Sequence, residues 1–282
     1  MTELITALSD PNLSFLRYSF LTGILASVAF GIIGTYVVVR RITSIAGAIS
    51  HCVLGGVGIG LYCQNLFAGS WLGPTSGAII VALLAAIVLY FVSMYPGQRE
   101  DTVIGAIWGI GMAVGLLFIA KTPGYSDPMS YLFGNILLLT QADLYLVIVL
   151  DIVIVSLVLI FYNHLLVLCF DEEYGRLRGI RTQALYLLLL IMTSLTIVLL
   201  IRIVGIVMVI ALLTLPSAIA GNFVRSIGQM MIVSVVLCMV FISSGLALSY
   251  SLDLPSGPVI IVIAGIVYFV TLFRPSLFAG RK

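Results

Sequence analysis

Long apolar stretches alternate with short polar segments along this chain, a pattern typical of membrane helices. No Asp, Glu, Lys or Arg occurs from Ile42 to Gln98, whereas one membrane helix needs only about 20 apolar residues. Division at charges, Pro/Gly clusters and polar loops gives nine candidate spans. Because hydrocarbon satisfies no backbone polar group, each span is predicted to be a helix. The nine candidates are Phe15–Val39, Ile45–Cys63, Gly77–Tyr95, Val103–Ala120, Leu144–Tyr162, Ala184–Ile201, Gly205–Phe223, Met230–Tyr250 and Val259–Phe273.

The basic residues predict the orientation of these spans. Loops on the cytoplasmic side of a membrane protein carry an excess of Lys and Arg. With the N-terminus outside and nine crossings, ten basic residues fall inside and three fall outside. We therefore expect the N-terminus out and the C-terminus in. The inner set is Arg40, Arg41, Arg99, Arg176, Arg178, Arg181, Arg225, Arg274, Arg281 and Lys282, and the outer set is Arg17, Lys121 and Arg202.

Composition supports an integral membrane protein of a single domain, residues 1–282. Of the 282 residues, 62% are hydrophobic and 9% are charged, whereas soluble domains carry about 25% charged residues. Met1–Asn12 contains no basic cluster, so a cleaved signal peptide is not expected. The four cysteines are scattered without a C-x-x-C pair and are interpreted as small apolar residues.

Two segments differ from simple spans. Lys121–Leu139 mixes Pro, Gly and Asp with an apolar tail and is predicted to dip back into the membrane as a short helix. Phe170–Gln183 is the most highly charged part of the chain. Its acidic residues precede its basic residues, the order that a helix dipole favours. It is predicted to be a short surface helix ending near Gly179 that docks a partner; a solvated linker is the alternative.

His51 is the most informative ionisable residue within a span. Gly47, Gly55 and Gly58 lie within about 80° of it on a helical wheel, and Ser50 precedes it. A glycine face with one histidine lets another helix or a substrate path come close. We expect His51 to line a path and to contact a metal cation, because imidazole is a common metal ligand. A hydrogen-bonded packing histidine is the alternative.

Other candidate groups are few. Asp151 is interpreted either as an acid in the pathway or as one member of an intramembrane pair. His164 is expected at the interface, and Thr214-Leu215-Pro216 predicts a kink or a functional break. The nearest match to an ATP-binding P-loop, Gly115–Thr122, lacks its second glycine and ends an apolar span. The chain is therefore not expected to hydrolyse ATP.

Six segments in order resemble one family, the membrane permease subunits of bacterial ABC importers for zinc, manganese and iron. They cover about 220 residues. The segments are Arg40-Arg41 with Ile49-Ser50-His51 and Val53–Val57, Arg99–Gly105, Ser130–Leu137, Phe170–Ile180, Ala211–Ala218 and Leu252–Pro258.

The resemblance implies an all-α, type II importer-like bundle in a bacterial inner membrane. Two permease chains, identical or different, would form the path. Two cytoplasmic ATPase subunits would consume ATP and bind the coupling segment at about 170–183, and an extracytoplasmic binding protein would deliver the metal. No permanent cofactor and no nucleic-acid partner are expected. Residues implied in coupling are Asp171, Glu172, Glu173, Arg176 and Gly179.

The metal site departs from the family pattern. Many members have an aspartate one turn before the histidine, where this chain has Gly47. A second chain, another helix or water would then complete the coordination of a metal at His51. Zinc and manganese fit better than iron; a histidine site favours zinc on affinity, but the binding protein could do the selecting.

Three alternatives stay open. A permease for cobalamin, haem or siderophores would need a wide path, and an ATPase-independent secondary transporter or channel would need acids in mid-membrane. An intramembrane hydrolase ranks last, because adjacent Ser50 and His51 diverge by about 100° on a helix.

Overall fold

The computed structural model describes residues 14–67, 71–94, 100–123, 132–134 and 139–273, and the regular structure in these ranges is all helical. The all-α prediction is therefore confirmed for the described chain. The helices, in chain order, are α1 Ser14–Val39, α2 Thr43–Leu66, α3 Pro74–Met94, α4 Glu100–Lys121, α5 Gln141–Phe170, α6 Glu172–Leu177, α7 Thr182–Val204, α8 Ile206–Gly221, α9 Ile227–Leu252 and α10 Ser256–Leu272.

Each predicted span falls on one of the long helices. Seven of them are long and apolar enough to cross a membrane, whereas α8 and α10 are shorter, at 16 and 17 residues. The number of crossings and the orientation of the termini stay predictions. The proposed dipping segment, Lys121–Leu139, lies largely outside the described residues.

Helix α5 is longer than the sequence pattern indicated. It runs for 30 residues to Phe170 instead of ending at Tyr162. Asn163 and His164 suggested an end, but they lie on the exposed side while Leu165 and Leu168 stay buried. Thirty residues of α-helix extend about 45 Å, which matches a bilayer including its headgroup layers.

Helix α2 lies at the centre of the bundle, packed against α3 on one side and α4 on another. Glycines permit both contacts. A Cβ added to Gly58 would lie 2.5 Å from the carbonyl oxygen of Gly115 on α4, and one added to Gly55 would lie 2.9 Å from that of Gly111. Small residues at helix interfaces in membranes commonly allow the two backbones to approach this closely. The glycine face predicted around His51 is therefore occupied by another helix of the same chain.

Pro216 lies inside α8 without ending it. A proline leaves the carbonyl four residues earlier, here that of Leu212, without its helical donor. The thiol of Cys238 on α9 lies 3.5 Å from this oxygen and supplies a weak hydrogen bond. Neighbouring helices often compensate prolines in this way within membranes.

Candidate functional site

The side chain of His51 lies against two residues of α4. Its ring stacks on the indole of Trp108, with centroids 4.3 Å apart and planes 15° from parallel. Its Nδ1 atom lies 3.1 Å from the sulfur of Met112. His51 is half-buried, and so is Met112, while 37% of the surface of Trp108 is exposed. An imidazole nitrogen and a thioether sulfur thus lie together at a partly open position on the bundle.

The position of the missing family aspartate is covered by the same indole. A Cβ built on Gly47 would lie 3.1 Å from Cζ3 of Trp108. Trp108 therefore spans two successive turns of α2, over Gly47 and over His51. No group of three or more His, Cys, Asp or Glu residues with metal-binding geometry occurs among the described residues.

The other predicted path residues do not converge on His51. Ser50 is fully buried, and its hydroxyl donates to the carbonyl of Ala46 at 3.0 Å. Asp151 lies in α5, which packs on α1 and α7. Its carboxyl lies beside the backbone of Ala29, and neither oxygen makes a hydrogen bond of normal geometry within the described chain. The roles assigned to these two residues stay predictions.

A charged cavity of about 610 Å³ opens at the end of the bundle where α2 and α4 begin. Ser44 of α2 and Ile104 of α4 line it. Ser44 lies on the face of α2 that carries His51, about 10 Å along the helix, and Ile104 is one turn before Trp108. The cavity thus lies about two helical turns from His51, and none of His51, Trp108 and Met112 lines it. Its charged lining residues are Arg40, Arg41, Glu100, Asp101, Glu172 and Arg176.

The short charged helix α6 is tied to the turn that precedes α2. Asp171 caps α6 by accepting a hydrogen bond from the amide of Tyr174 at 2.8 Å. Glu172 accepts hydrogen bonds from both Arg40 and Arg176, the second at 2.6 Å. A turn containing Gly179, whose φ is +77°, follows the helix. The predicted surface helix is therefore present, ends where expected and makes an ion-pair contact with the start of α2.

The electrostatics keep Glu172 charged. Burial acts to raise the pKa of its carboxyl, but the hydrogen bonds from Arg176 and Arg40, with their positive charges, outweigh burial and hold this pKa below its usual range. Arg40 also lies over the ring of Tyr186, 5.7 Å from its centroid. Arg40 therefore contacts both Glu172 of α6 and Tyr186 of α7.

Sequence reasoning missed three of these residues. Trp108 and Met112 are spaced by one helical turn in an apolar span, where aromatic and sulfur side chains usually pack in the core. Arg40 was used for orientation and as part of the Arg40-Arg41 segment of the family resemblance, and not as an ion-pair partner of Glu172. Gly111 and Gly115, four residues apart on α4, together with Gly55 and Gly58, three residues apart on α2, were the available signal that α4 lies against the His51 face.

Together the apolar helices, the central glycine-packed pair and the charged terminal helix define a polytopic helical membrane protein. Comparison with known families gives a more specific assignment: residues 12–275 match the ABC 3 transport family. The chain belongs to that family.

Individual relatives support this assignment. The chain is 43% identical to a probable metal transport system membrane protein of Chlamydia muridarum, covering 90% of this chain and 87% of the relative. It is 30% identical to the manganese transport system membrane protein MntC of Listeria monocytogenes, covering 95% of each. The solved structure of PsaBC from Streptococcus pneumoniae in complex with Fab superposes with a TM-score of 0.85 at 27% identity, covering 97% of this chain and 95% of that one.

Proposed function

We propose that this chain is the membrane permease subunit of an ATP-driven importer for a divalent metal cation, zinc or manganese. A separate cytoplasmic ATPase would hydrolyse ATP, and an extracytoplasmic binding protein would deliver the metal. Two permease chains would form the path and move the cation to the cytoplasm by alternating access. Relatives named as metal and manganese transport proteins support the substrate class.

The observation that carries this proposal is that α2 joins the two features a driven transporter needs. One is a potential metal ligand, His51, on the helix. The other is the ion pair between Arg40, three residues before α2, and Glu172 of the charged helix α6. A partner that moves α6 would thereby act on the helix that carries the ligand.

The position of the charged cavity indicates which end of the proposed path faces the partner of α6. Its carboxylates, Glu100, Asp101 and Glu172, lie at the same end as α6. If this end faces the cytoplasm, as the basic residues predict, the cavity is the inner mouth of the path. Three arginines, Arg40, Arg41 and Arg176, line the cavity beside these carboxylates, so the formal charges of its lining cancel.

Reconstituted transport tests the proposal. The chain would be placed in proteoliposomes with the ATPase and binding protein encoded beside it, and uptake of radioactive zinc and manganese would be followed with and without ATP. ATP-dependent uptake of either metal is expected. Uptake that does not need ATP would indicate a secondary transporter, and uptake only of a metal chelate would indicate a chelate permease; either result contradicts the proposal.

A further inference from the structure

The space normally available for a carboxylate near His51 is taken up in this chain. The indole of Trp108 lies over Gly47, and a Cβ there would already be 3.1 Å from Cζ3. An aspartate at this position would bring its carboxylate against the six-membered ring of Trp108. A side chain at position 47 would therefore fit only if the partly exposed ring of Trp108 shifted by a few tenths of an ångström.

A different donor occupies the other side of the imidazole. Met112 is one turn after Trp108 on α4, and its sulfur is 3.1 Å from Nδ1 of His51. In a tetrahedral zinc site, a nitrogen at about 2.1 Å and a sulfur at the thiolate distance of about 2.3 Å lie about 3.6 Å apart. The two donors therefore need to separate by about half an ångström to bind one zinc ion.

Resting on the proposed function, we propose that Met112 is a ligand of the transported metal beside His51, and that this nitrogen–sulfur pair makes the path selective for zinc over manganese. Thioether sulfur and imidazole both suit zinc, whereas manganese prefers carboxylate, carbonyl and water oxygens. Water or the second permease chain completes the coordination. The stacked indole of Trp108 stabilises the positive charge that the imidazole shares with the metal.

X-ray absorption at the zinc edge tests the ligand directly. The full chain would be loaded with zinc in lipid nanodiscs, as the unaltered protein and as Met112→Leu and Met192→Leu. Leucine keeps the apolar volume and removes only the sulfur. Met192 is a buried methionine of α7 and serves as the matched control. We expect a sulfur neighbour in the first coordination shell of zinc in the unaltered chain and in Met192→Leu, and its loss in Met112→Leu.

Competition binding gives the second readout. Met112→Leu should weaken zinc binding about tenfold or more, the scale of losses at metal sites, with a smaller effect on manganese. If zinc binding needs His51 but shows no sulfur neighbour and no change in Met112→Leu, the inference is wrong and the proposed function stands. If the unaltered chain neither binds nor transports zinc or manganese, the proposed function fails and the inference fails with it.

Discussion

At the scale of single residues, the surroundings of His51 depend on one large ring. Trp108 lies over both His51 and Gly47, so it stacks on the candidate ligand and closes the adjacent position. The consequence is that an aspartate at position 47 would have to displace this ring. Gly47, Trp108 and Met112 should therefore behave as a coupled set rather than as independent positions.

The first prediction follows from this coupling. Gly47→Asp alone should lower zinc uptake, because the added side chain displaces the indole that stacks on His51. The double variant Gly47→Asp/Trp108→Ala should recover uptake and shift the preference from zinc towards manganese, since an oxygen ligand becomes available. The measurement is cross-competition. It compares the concentration of unlabelled zinc that halves manganese uptake with the concentration of unlabelled manganese that halves zinc uptake.

Trp71 provides the control for this experiment. It is the only other tryptophan of the chain, and 78% of its surface is exposed. Gly47→Asp/Trp71→Ala should behave like Gly47→Asp. Full zinc uptake by Gly47→Asp alone would contradict the prediction.

A second residue-scale prediction concerns the proline in α8. Cys238→Ala removes the donor to the Leu212 carbonyl and should cost about 1 kcal/mol of stability, the scale of one unsatisfied buried acceptor. Cys238→Ser keeps a donor and should cost less. Thermal unfolding of the purified chain measures both. Equal losses for the two variants would mean that the thiol contributes only volume.

The residue scale also shows what sequence could and could not provide. His51 was identified because a histidine in a glycine face of an apolar span is unusual. Met112 and Trp108 were not, since methionine and tryptophan in a span look like ordinary packing until the facing helix is known. The donor pair forms only through the approach of α2 to α4, which is a tertiary property.

At the scale of helices, the α2–α4 contact depends on glycines without a Cβ. A methyl group added at Gly115 would lie 2.5 Å from the carbonyl oxygen of Leu54. Gly115→Ala should therefore separate the helices and cost about 1–3 kcal/mol, as overpacking does. Gly265 of α10 has no atom within 4 Å of such a methyl, so Gly265→Ala should be nearly neutral in the same thermal unfolding assay.

The contact between α6 and the start of α2 gives a coupling prediction. Arg40→Glu and Glu172→Arg should each reduce ATP-driven uptake several-fold, because each places like charges together. The double exchange should recover part of the loss, as expected for interacting residues. Arg225→Glu, the reversal of an exposed charge outside the coupling segment, is the control. Failure of the double exchange to recover any uptake would argue against direct coupling through this pair.

This ion pair also has a defined response to pH. Because the pKa of Glu172 in the folded chain lies below the 4.5 of a free glutamate, its contribution to the ion pair is fully present above that value. It is lost only as pH falls through the lower folded-state value. Loss of coupling well above pH 4.5 must therefore have another cause.

At the scale of the whole molecule, spans were predictable because the bilayer imposes length and apolarity on each one. The ends of the helices were less predictable. Helix α5 continues past Asn163 and His164, because polar residues on an exposed helical face do not end a helix. Because successive spans cross the membrane in opposite directions, the sequence also predicted which loops lie at the same end of the bundle. The cavity lined by the α1–α2 turn, the start of α4 and α6 places these three together.

Orientation is testable by chemical labelling. In a cysteine-free background, Asp253→Cys after α9 should react with a membrane-impermeant thiol reagent added to whole cells. Asn222→Cys after α8 should react only once the membrane is permeabilised. Both positions are exposed. The reverse labelling pattern would invert the proposed topology, and with it the assignment of the charged cavity to the cytoplasmic side.

The most direct test of the account compares the two histidines of the chain. ATP-driven zinc and manganese uptake would be measured for His51→Ala and for His164→Ala, whose side chain is exposed near the end of α5. The account predicts that His51→Ala abolishes or severely reduces uptake while the partner ATPase still assembles and hydrolyses ATP, and that His164→Ala transports normally. Normal uptake by His51→Ala would show that His51 is not a ligand of the transported metal and would contradict the proposed role of α2.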